Sequence, residues 1–348
     1  MRFLTADYIY TLYTDPIEKG VIQVSSKGEI LSVLKNRKEM PKEKLEVYKG
    51  VLCPGFVNAH CHLELSHLKA PFESGKGFLN FLSVVKKRNS FNQDEILSAI
   101  DLAEQQMLKN GIVGVGDICN SGDTILQKKR RNLQYYNFIE VFGVREESAN
   151  QVMRRAKELQ CKFKNSGLQS TITPHAPYSV SEKLIQEIKK NFDKNNQVLT
   201  IHMQESDLEN QLFENKKGPF LTWLQSINAS PLIWTRRNKS IDFIKELKGV
   251  KLLFVHNTFA KKEDISSNYY CTCPKSNLHI ENQLPDYDNF DAEKLCVGTD
   301  SLASNNSLSI LEELQIIKQN SCFDLNTLLK IASKNGAEAL GFEQLGTF

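Results

Sequence analysis

The pattern of apolar and polar positions divides the chain near residue 50. Residues 1 to about 50 contain short apolar runs separated by Gly and Pro turns and by a Lys/Glu-rich connector, which is typical of short β-strands. From Val51 onward, short apolar runs alternate with longer segments of helical periodicity, such as DEILSAIDLAEQQMLKN and SEKLIQEIKKNF. The pattern predicts a small β module followed by repeated βα units.

Each of the apolar runs after residue 50 is short enough to form a single strand. We identify eight: VLCPGFVNAH, GIVGVGDIC, NFIEVFGV, LQSTITPH, VLTIHM, VKLLFVH, YYCTCP and LCVGTD. Eight strands with intervening helices is the count of a (β/α)8 TIM barrel, which occupies about 250 residues. We therefore predict an α/β fold in which residues 51–340 form such a barrel.

Composition and charge exclude several classes of function. The chain has 44 Lys and Arg against 41 Asp and Glu, and a net charge of +3 gives no basis for binding nucleic acid or an anionic membrane. No apolar window is long enough for a spanning helix, and the N-terminus lacks the pattern of a signal peptide. The eight cysteines lie in apolar runs, and Cys271 and Cys273 lack the C-x-x-C spacing of a structural zinc site. We predict a cytoplasmic protein with reduced thiols and a small-molecule partner.

Histidines are concentrated at the predicted ends of strands, where the active site of a TIM barrel lies. Five of the seven are placed there: His60, His62, His175, His202 and His256. His60 and His62 point to the same face because side chains alternate along a strand. A bare H-x-H is more often a pair of surface or capping histidines. The third histidine and the carboxylate of Asp300 on other strands favour a catalytic metal site with an open coordination position.

Two carboxylates could transfer protons at such a site. Glu205 comes three residues after His202, where it can face a substrate without binding the metal, although alone it could equally be a solvated turn residue. Asp300 follows Gly and Thr, residues small enough for close approach, and could both bind a metal and accept a proton from bound water. The alternative for Asp300 is a helix N-cap.

Five motifs occur in order along nearly the whole chain: PGFVNAHCHLELS, TPHAPYSVS, IHMQES, CPKSN and GTDSLASNNSLSILEEL. They resemble the successive motifs of the amidohydrolase superfamily, in the branch that contains cytosine, guanine and adenosylhomocysteine deaminases and the chlorohydrolases. The resemblance implies one divalent ion, zinc or alternatively iron, bound by His60, His62, His202 and Asp300. It also implies that Glu205 is a proton shuttle and that His256 orients the attacking water.

Two departures from the family pattern narrow the subtype. The fourth strand ends in TPHAP, without the lysine that bridges two metals in binuclear members, and His175 resembles the substrate-side histidine of nucleoside-type deaminases. The chain also ends at LGTF, where family members continue with a strand that completes a β-sandwich. The resemblance thus implies that residues 1–50 form most of a small β-sandwich domain. Residues 341–348 would begin a C-terminal sandwich segment that stops early.

These residues predict the hydrolytic deamination of an aminated heteroaromatic ring. The segments HLELSHL and GFLNFLSVVKK are similar to those of the aminodeoxyfutalosine deaminases, which favours a 6-aminopurine nucleoside such as aminodeoxyfutalosine, adenosylhomocysteine or methylthioadenosine. The alternatives are a guanine- or cytosine-type free-base deaminase, or a chlorohydrolase or cyclic-amide hydrolase of the same superfamily. A non-catalytic binding module would not need the complete set of ligands and proton shuttles.

Four further residues are expected to contact the substrate. Arg145 could pair with a substrate carboxylate through two hydrogen bonds, or it could be a surface residue. Glu64 could accept hydrogen bonds from ribose hydroxyls, or it could have a structural role beneath the metal. Ser304 and Asn305 lie in the motif that follows Asp300 and are expected near the substrate. A homodimer is left open as the oligomeric state.

Overall fold

The computed structural model describes residues 1–36, 45–68, 75, 77–193, 197–247 and 249–348. Most of the Lys/Glu-rich connector predicted in the N-terminal module falls at residues 37–44 and so lies outside the described residues. Within the described parts of the chain, no helix is both long and apolar enough to cross a membrane.

The N-terminal module consists of short strands, as the sequence predicts. They are β1 (Arg2–Thr5), β2 (Tyr8–Ile9), β3 (Ile17–Glu18), β4 (Val21–Val24), β5 (Ile30–Leu34), β6 (Leu45–Val47) and β7 (Val51–Leu52). One sheet has the order β5-β4-β1-β6 and the other has the order β3-β2-β7. Ile9, Ile22 and Val24 form a small buried cluster of their own, which accounts for the alternation of apolar and polar residues in these strands.

Each of the eight predicted apolar runs overlaps one parallel strand of the barrel, and the first run also contains β7. These strands are β8 (Phe56–Cys61), β9 (Ile112–Cys119), β10 (Gln134–Val141), β11 (Ser170–Pro174), β12 (Val198–Met203), β13 (Lys251–His256), β14 (Tyr269–Thr272) and β15 (Leu295–Val297). They pair in parallel in the orders β8-β9-β10-β11 and β12-β13-β14-β15. Because they are buried on both faces, they are almost continuously apolar.

Hydrogen bonds at both edges join the two four-stranded sheets into a closed barrel. At one edge the backbone N–H of His202 donates to the carbonyl of His175 at 2.9 Å. At the other edge the backbone N–H of Thr299 donates to the carbonyl of His60 at 3.1 Å. The predicted (β/α)8 barrel with a small N-terminal β-sandwich is therefore confirmed, and both closing contacts involve histidines at the strand ends.

Helices follow the barrel strands and cover the outside of the barrel. Their bounds are α1 (Phe78–Val85), α2 (Gln93–Lys109), α3 (Ile125–Lys128), α4 (Ala149–Asn165), α5 (Glu182–Lys190), α6 (Asp207–Asn210), α7 (Pro219–Ser226), α8 (Leu232–Thr235), α9 (Pro274–Glu281), α10 (Ile310–Gln319), α11 (Leu325–Ala332) and α12 (Lys334–Leu340). The helices predicted from DEILSAIDLAEQQMLKN and SEKLIQEIKKNF correspond to α2 and α5. Helix α2 begins with a capping box in which the side chains of Asn92 and Glu95 bind each other's backbone N–H groups.

The last residues of the chain lie against the N-terminal module. The backbone N–H of Phe348 donates to the carbonyl of Thr11 at 3.1 Å, and the Phe348 side chain packs on the small apolar cluster around Ile9. Residues 341–348 form no strand. Their prediction as the start of a C-terminal sandwich segment stays a prediction.

Candidate active site

Three imidazoles and one carboxylate converge at the C-terminal ends of the barrel strands. His62 Nε2 lies 3.3 Å from His202 Nε2 and 3.5 Å from Asp300 Oδ1, and His60 Nε2 lies 3.7 Å from the same Asp300 oxygen. Ligand atoms about 2.05 Å from a tetrahedral zinc ion are about 3.3 Å apart, so these separations fit a shared cation. The four predicted ligands are therefore brought together by three different parts of the barrel.

The hydrogen bonding of these groups tests whether they fit a metal ion. His60 Nε2 is buried and has no hydrogen-bond partner among the described residues, which is costly for a polar atom unless a ligand satisfies it. Three imidazole nitrogens and one carboxylate are a donor set that suits zinc or ferrous iron. The residues present thus fit one divalent cation.

Hydrogen bonds with neighbouring groups orient two of the candidate ligands, Asp300 and His202, towards the position of a shared cation. Asp300 Oδ2 accepts hydrogen bonds of 2.6 Å from Ser276 Oγ and of 2.6 Å from Ser304 Oγ, which leaves Oδ1 directed at the histidines. His202 Nδ1 lies 3.0 Å from the His175 carbonyl oxygen and donates to it, because a carbonyl can only accept. The Nε2 atom of His202 is therefore available for the metal, an arrangement in which outer groups fix the ligand tautomer.

Strand β15 can approach β8 closely because the residue two positions before Asp300 is Gly298. A Cβ atom on Gly298 would lie 2.7 Å from the carbonyl oxygen of His60, which is too close for any side chain. Asp300 itself adopts a φ of +56°, a conformation that residues with side chains rarely occupy. Such strain is typical of residues that a fold holds in place for function.

Burial keeps the site histidines neutral. Burial lowers the pKa of His62 to about 3 and that of His175 to about 4, and it lowers the pKa of His202 well below its usual value. Burial acts to raise the pKa of Asp300, but contacts with His60 and the nearby imidazoles outweigh it and hold that pKa well below its usual range. At neutral pH the ligands are thus in the protonation states that bind a cation.

Glu205 and His256 lie beside the ligands. His256 Nε2 is 3.6 Å from Glu205 Oε1, and His256 Nδ1 is 2.8 Å from Oδ1 of Asn277, in the predicted CPKSN motif. Burial, followed by the charge of Asp300, raises the pKa of Glu205 well above its usual value. Such a shift favours the protonated carboxyl group, the form that can act as a general acid.

A cavity of about 600 Å³ opens above these groups, a size suited to a small-molecule ligand. Its polar floor contains His62, Glu140, His175, His202, Glu205, His256 and Asp300. Its apolar wall is formed by two helices and the residue after α7. From α1 come Phe78, Phe81, Leu82 and Val85, and from the α7 region come Trp223, Leu224 and Ile227.

Two of the predicted substrate contacts line this cavity. His175 is part of the floor, and its Nδ1 lies 2.8 Å from Ser179 Oγ. Arg145 follows β10 and is an exposed residue of the cavity lining, so its guanidinium can reach a ligand without being held by a buried partner.

Glu64, Ser304 and Asn305 do not belong to the described lining of the cavity. The carboxylate of Glu64 instead accepts hydrogen bonds of 2.9 to 3.1 Å from the loop residues Asn120 and Ser121, which supports the structural alternative for it. Ser304 orients Asp300 as described above. Asn305 Nδ2 donates to the Thr299 carbonyl and to Glu313 Oε1, so Asn305 supports the loop instead of facing the substrate.

Several polar residues of the cavity were not predicted from the sequence, among them Arg88, Asn120 and Glu140. Glu140 is the last residue but one of β10 and interrupts the apolar run NFIEVFGV, a signal that could have identified it. Arg88 and Asn120 lie in connecting segments whose sequences carry no comparable signal. The aromatic wall from α1 and α7 was also not predicted.

Comparisons with known proteins agree on the type of protein. A family model described as the amidohydrolase family matches residues 51–348. Adenosine deaminase of Helicobacter pylori is 30% identical over 320 residues, which cover 86% of this chain and 77% of that protein. Aminodeoxyfutalosine deaminase of Nitratiruptor sp. is 26% identical over 344 residues, which cover 94% of this chain and 84% of that protein.

A solved structure of a deaminase is also similar to this chain in its three-dimensional fold. The crystal structure of Helicobacter pylori aminofutalosine deaminase in complex with methylthio-coformycin superposes with a TM-score of 0.83. The two chains are 27% identical, and the alignment covers 100% of this chain and 89% of the other.

Proposed function

Because the chain belongs to the amidohydrolase family, we propose that it is a metal-dependent deaminase that hydrolyses the 6-amino group of an adenine nucleoside derivative. One observation carries this proposal: the buried carboxyl group of Glu205, whose pKa burial raises, lies beside a cluster of three imidazoles and a carboxylate in a cavity of nucleoside size. The relatives named above are deaminases of adenosine and aminodeoxyfutalosine, which supports the same reaction class here.

The proposed reaction replaces an amino group by water. A bound divalent cation lowers the pKa of water from about 15.7 towards about 7, which supplies hydroxide at neutral pH. Asp300 accepts the proton that the water loses, and Glu205 donates its proton to a ring nitrogen so that the adjacent carbon becomes electrophilic. His256 Nε2 directs the attacking oxygen. Asp300 then gives its proton to the amino group, which leaves as ammonia, and Glu205 regains a proton from the added hydroxyl group.

We propose zinc as the cation, with iron as the alternative, at a stoichiometry of one. His202 uses Nδ1 to bind the His175 carbonyl and so has only Nε2 to offer. In binuclear members of the family, a lysine that bridges the two metals lies at the end of the fourth barrel strand. The corresponding strand here is β11, and no lysine lies at its end. Both features support a single ion.

The shape of the cavity supports a nucleoside over a free base. A base such as cytosine or guanine would occupy the polar floor and leave the apolar wall from α1 and α7 without a partner. A nucleoside with a group extending from its sugar would cover that wall and reach Arg145 at the cavity lining. We propose that this distal group is anionic and that Arg145 pairs with it.

Two further properties belong to the proposal. All eight cysteines are free, which supports the predicted cytoplasmic location. A homodimer stays a prediction of the sequence analysis.

A substrate panel tests the proposed activity. Ammonia release is measured for four nucleosides: adenosine, methylthioadenosine, adenosylhomocysteine and aminodeoxyfutalosine. It is also measured for the free bases cytosine and guanine. Chloride release is measured for a chlorinated triazine. The proposal expects the highest kcat/KM for a nucleoside. A free base as the best substrate would show a base deaminase, and chloride release without deamination would show a chlorohydrolase.

A further inference from the structure

The CPKSN motif forms the turn between β14 and α9, and two of its side chains reach the candidate active site. Helix α9 begins with Pro274, and the backbone N–H of Asn277 donates to the carbonyl of Cys273 at 2.9 Å. Ser276 and Asn277 are both buried. The first turn of the helix therefore directs two adjacent polar side chains at the ends of the barrel strands.

Each of these two side chains binds a group that the proposed reaction uses. Ser276 Oγ donates to Asp300 Oδ2 at 2.6 Å, and Asn277 Oδ1 lies 2.8 Å from His256 Nδ1. Asn277 does not belong to the described lining of the cavity, so it can affect a substrate only through His256. Its position is that of a positioning residue, not of a catalytic one.

The backbone holds the ring of His256 in one place. His256 adopts a φ of +70°, and the backbone N–H of Asn257 donates to the carbonyl of Met203 at 3.0 Å, which ties the end of β13 to the end of β12. The ring is buried, and its Nε2 lies 3.6 Å from Glu205 Oε1. Because a neutral imidazole carries one proton, what is left to decide is which of its two nitrogens holds that proton.

The orientation of the Asn277 amide decides between the two nitrogens. An amide oxygen only accepts, so Oδ1 beside Nδ1 places the proton of His256 on Nδ1 and leaves Nε2 as an acceptor. In this orientation Asn277 Nδ2 is buried and has no partner among the described residues. The opposite orientation would turn Nδ2 towards the ring and move the proton to Nε2. The two orientations therefore predict opposite tautomers of His256.

We propose that Asn277 is a positioning residue that keeps the proton of His256 on Nδ1, so that Nε2 accepts a hydrogen bond from the attacking water. This inference rests on the proposed function, in which His256 Nε2 directs the attacking oxygen. Water can be directed in this way only if Nε2 carries no proton. Consecutive residues of the CPKSN motif then support two groups that act on the same water, because Ser276 orients Asp300 and Asn277 orients His256.

The tautomer of His256 can be measured without any substrate. NMR of the zinc-loaded protein, labelled at the histidine ring nitrogens, shows which nitrogen of each ring carries the proton. The signals of His256 are assigned by their absence from the spectrum of His256→Gln. We expect the proton on Nδ1 in the native protein. Ser276→Ala removes the neighbouring hydrogen bond to Asp300 and should leave this tautomer unchanged.

Asn277→Leu tests the consequence for catalysis, since it replaces the amide by an apolar group of similar size. Removing one partner of a buried hydrogen bond typically costs about 10- to 100-fold, and we expect kcat for adenosine to fall by this factor. KM and zinc content should stay at the native values, because Asn277 binds neither the cavity nor a candidate ligand. Asn268→Leu is the control, at a partly exposed asparagine whose amide donates to Ser266 Oγ, and should keep the native kcat.

The possible failures give different results. A proton on Nε2 of His256 in the native protein, or a native kcat in Asn277→Leu, would overturn the inference. Loss of zinc from a folded Asn277→Leu protein would also overturn it, because Asn277 would then support the cation site. If the leucine variant does not fold, the spectrum of the native protein decides alone. A native protein that deaminates no nucleoside would instead contradict the proposed function, while the spectrum would still report the tautomer.

Discussion

Asp117 Oδ1 accepts a hydrogen bond of 2.8 Å from the backbone N–H of Leu63, the residue that follows the candidate metal ligand His62. The other oxygen of Asp117 accepts from Lys128 Nζ, which also donates to Asn137 Oδ1 at 2.7 Å. Asp117 and Lys128 are both completely buried. A buried ion pair thus fixes the backbone at the point where β8 leads into the active site.

Replacing Lys128 by Met should destabilise the protein strongly. The variant keeps the volume of the side chain but leaves the buried charge of Asp117 without a cation, a change that typically costs about 3–5 kcal/mol. Urea unfolding measures this loss. Lys129→Met, at the exposed neighbouring position, is the control and should unfold like the native protein. Equal stability of the two variants would show that the ion pair contributes little.

Glu205→Gln should separate catalysis from metal binding. The amide has the same shape but cannot deliver the proton, and general acid-base residues typically contribute 10²- to 10⁴-fold. The variant should therefore retain its metal and lose most of its kcat. His256→Ala should behave in the same way, whereas His202→Ala should lose the metal. Metal loss in Glu205→Gln would make Glu205 a ligand and the assigned roles wrong.

Arg145→Ala should affect anionic substrates selectively. If Arg145 forms a charge-assisted pair with a distal carboxylate, its loss should lower kcat/KM for adenosylhomocysteine about 10- to 100-fold and leave adenosine nearly unchanged. Arg154→Ala, on α4 and outside the active-site cavity, serves as the control. Equal losses for anionic and neutral nucleosides would argue against the pairing.

The stability of the protein should depend on pH through Glu209 on α6. Burial raises the pKa of Glu209 to about 8. The unfolded carboxyl titrates near 4.5. Between these values the folded state holds a proton that the unfolded state has released, so stability falls as pH rises, by at most about 1.4 kcal/mol per pH unit.

Glu209→Gln removes this dependence because the amide does not titrate. Relative to the native protein, the variant should therefore gain stability between pH 5 and pH 8, as measured by urea unfolding of both proteins at each pH. Taking the difference between the two proteins cancels the contribution of all other titrating groups. A difference that is the same at both pH values would mean that Glu209 does not titrate in this window.

The fold, and the meeting of the four candidate metal ligands, could be predicted from the sequence because both follow from local patterns. Each barrel strand lies in a short, mainly apolar run, and side-chain alternation along a strand places His60 and His62 on one face. The strand ends then meet at one side of the barrel, which brings His202 and Asp300 to the same point. No information beyond strand order is needed for this part of the site.

The substrate side could not be predicted in the same way. Glu64 and Glu140 both carry carboxyl groups near a strand end. The loop between β9 and α3 binds the carboxylate of Glu64, whereas Glu140 is one of the residues that line the cavity. Ser304 is close to Asp300 in sequence, but its hydroxyl turns to that carboxylate instead of the cavity. The apolar wall joins α1 and α7, which are far apart in the chain, so no local pattern reveals it.

The decisive experiment is a titration of the metal-free protein with zinc, in which ammonia release from adenosine is measured at each step. The metal-dependent deaminase described here predicts no ammonia release without metal, and activity that rises linearly to one zinc per chain and then stays constant. Ammonia release by the metal-free protein, or activity that requires two ions per chain, would contradict the account.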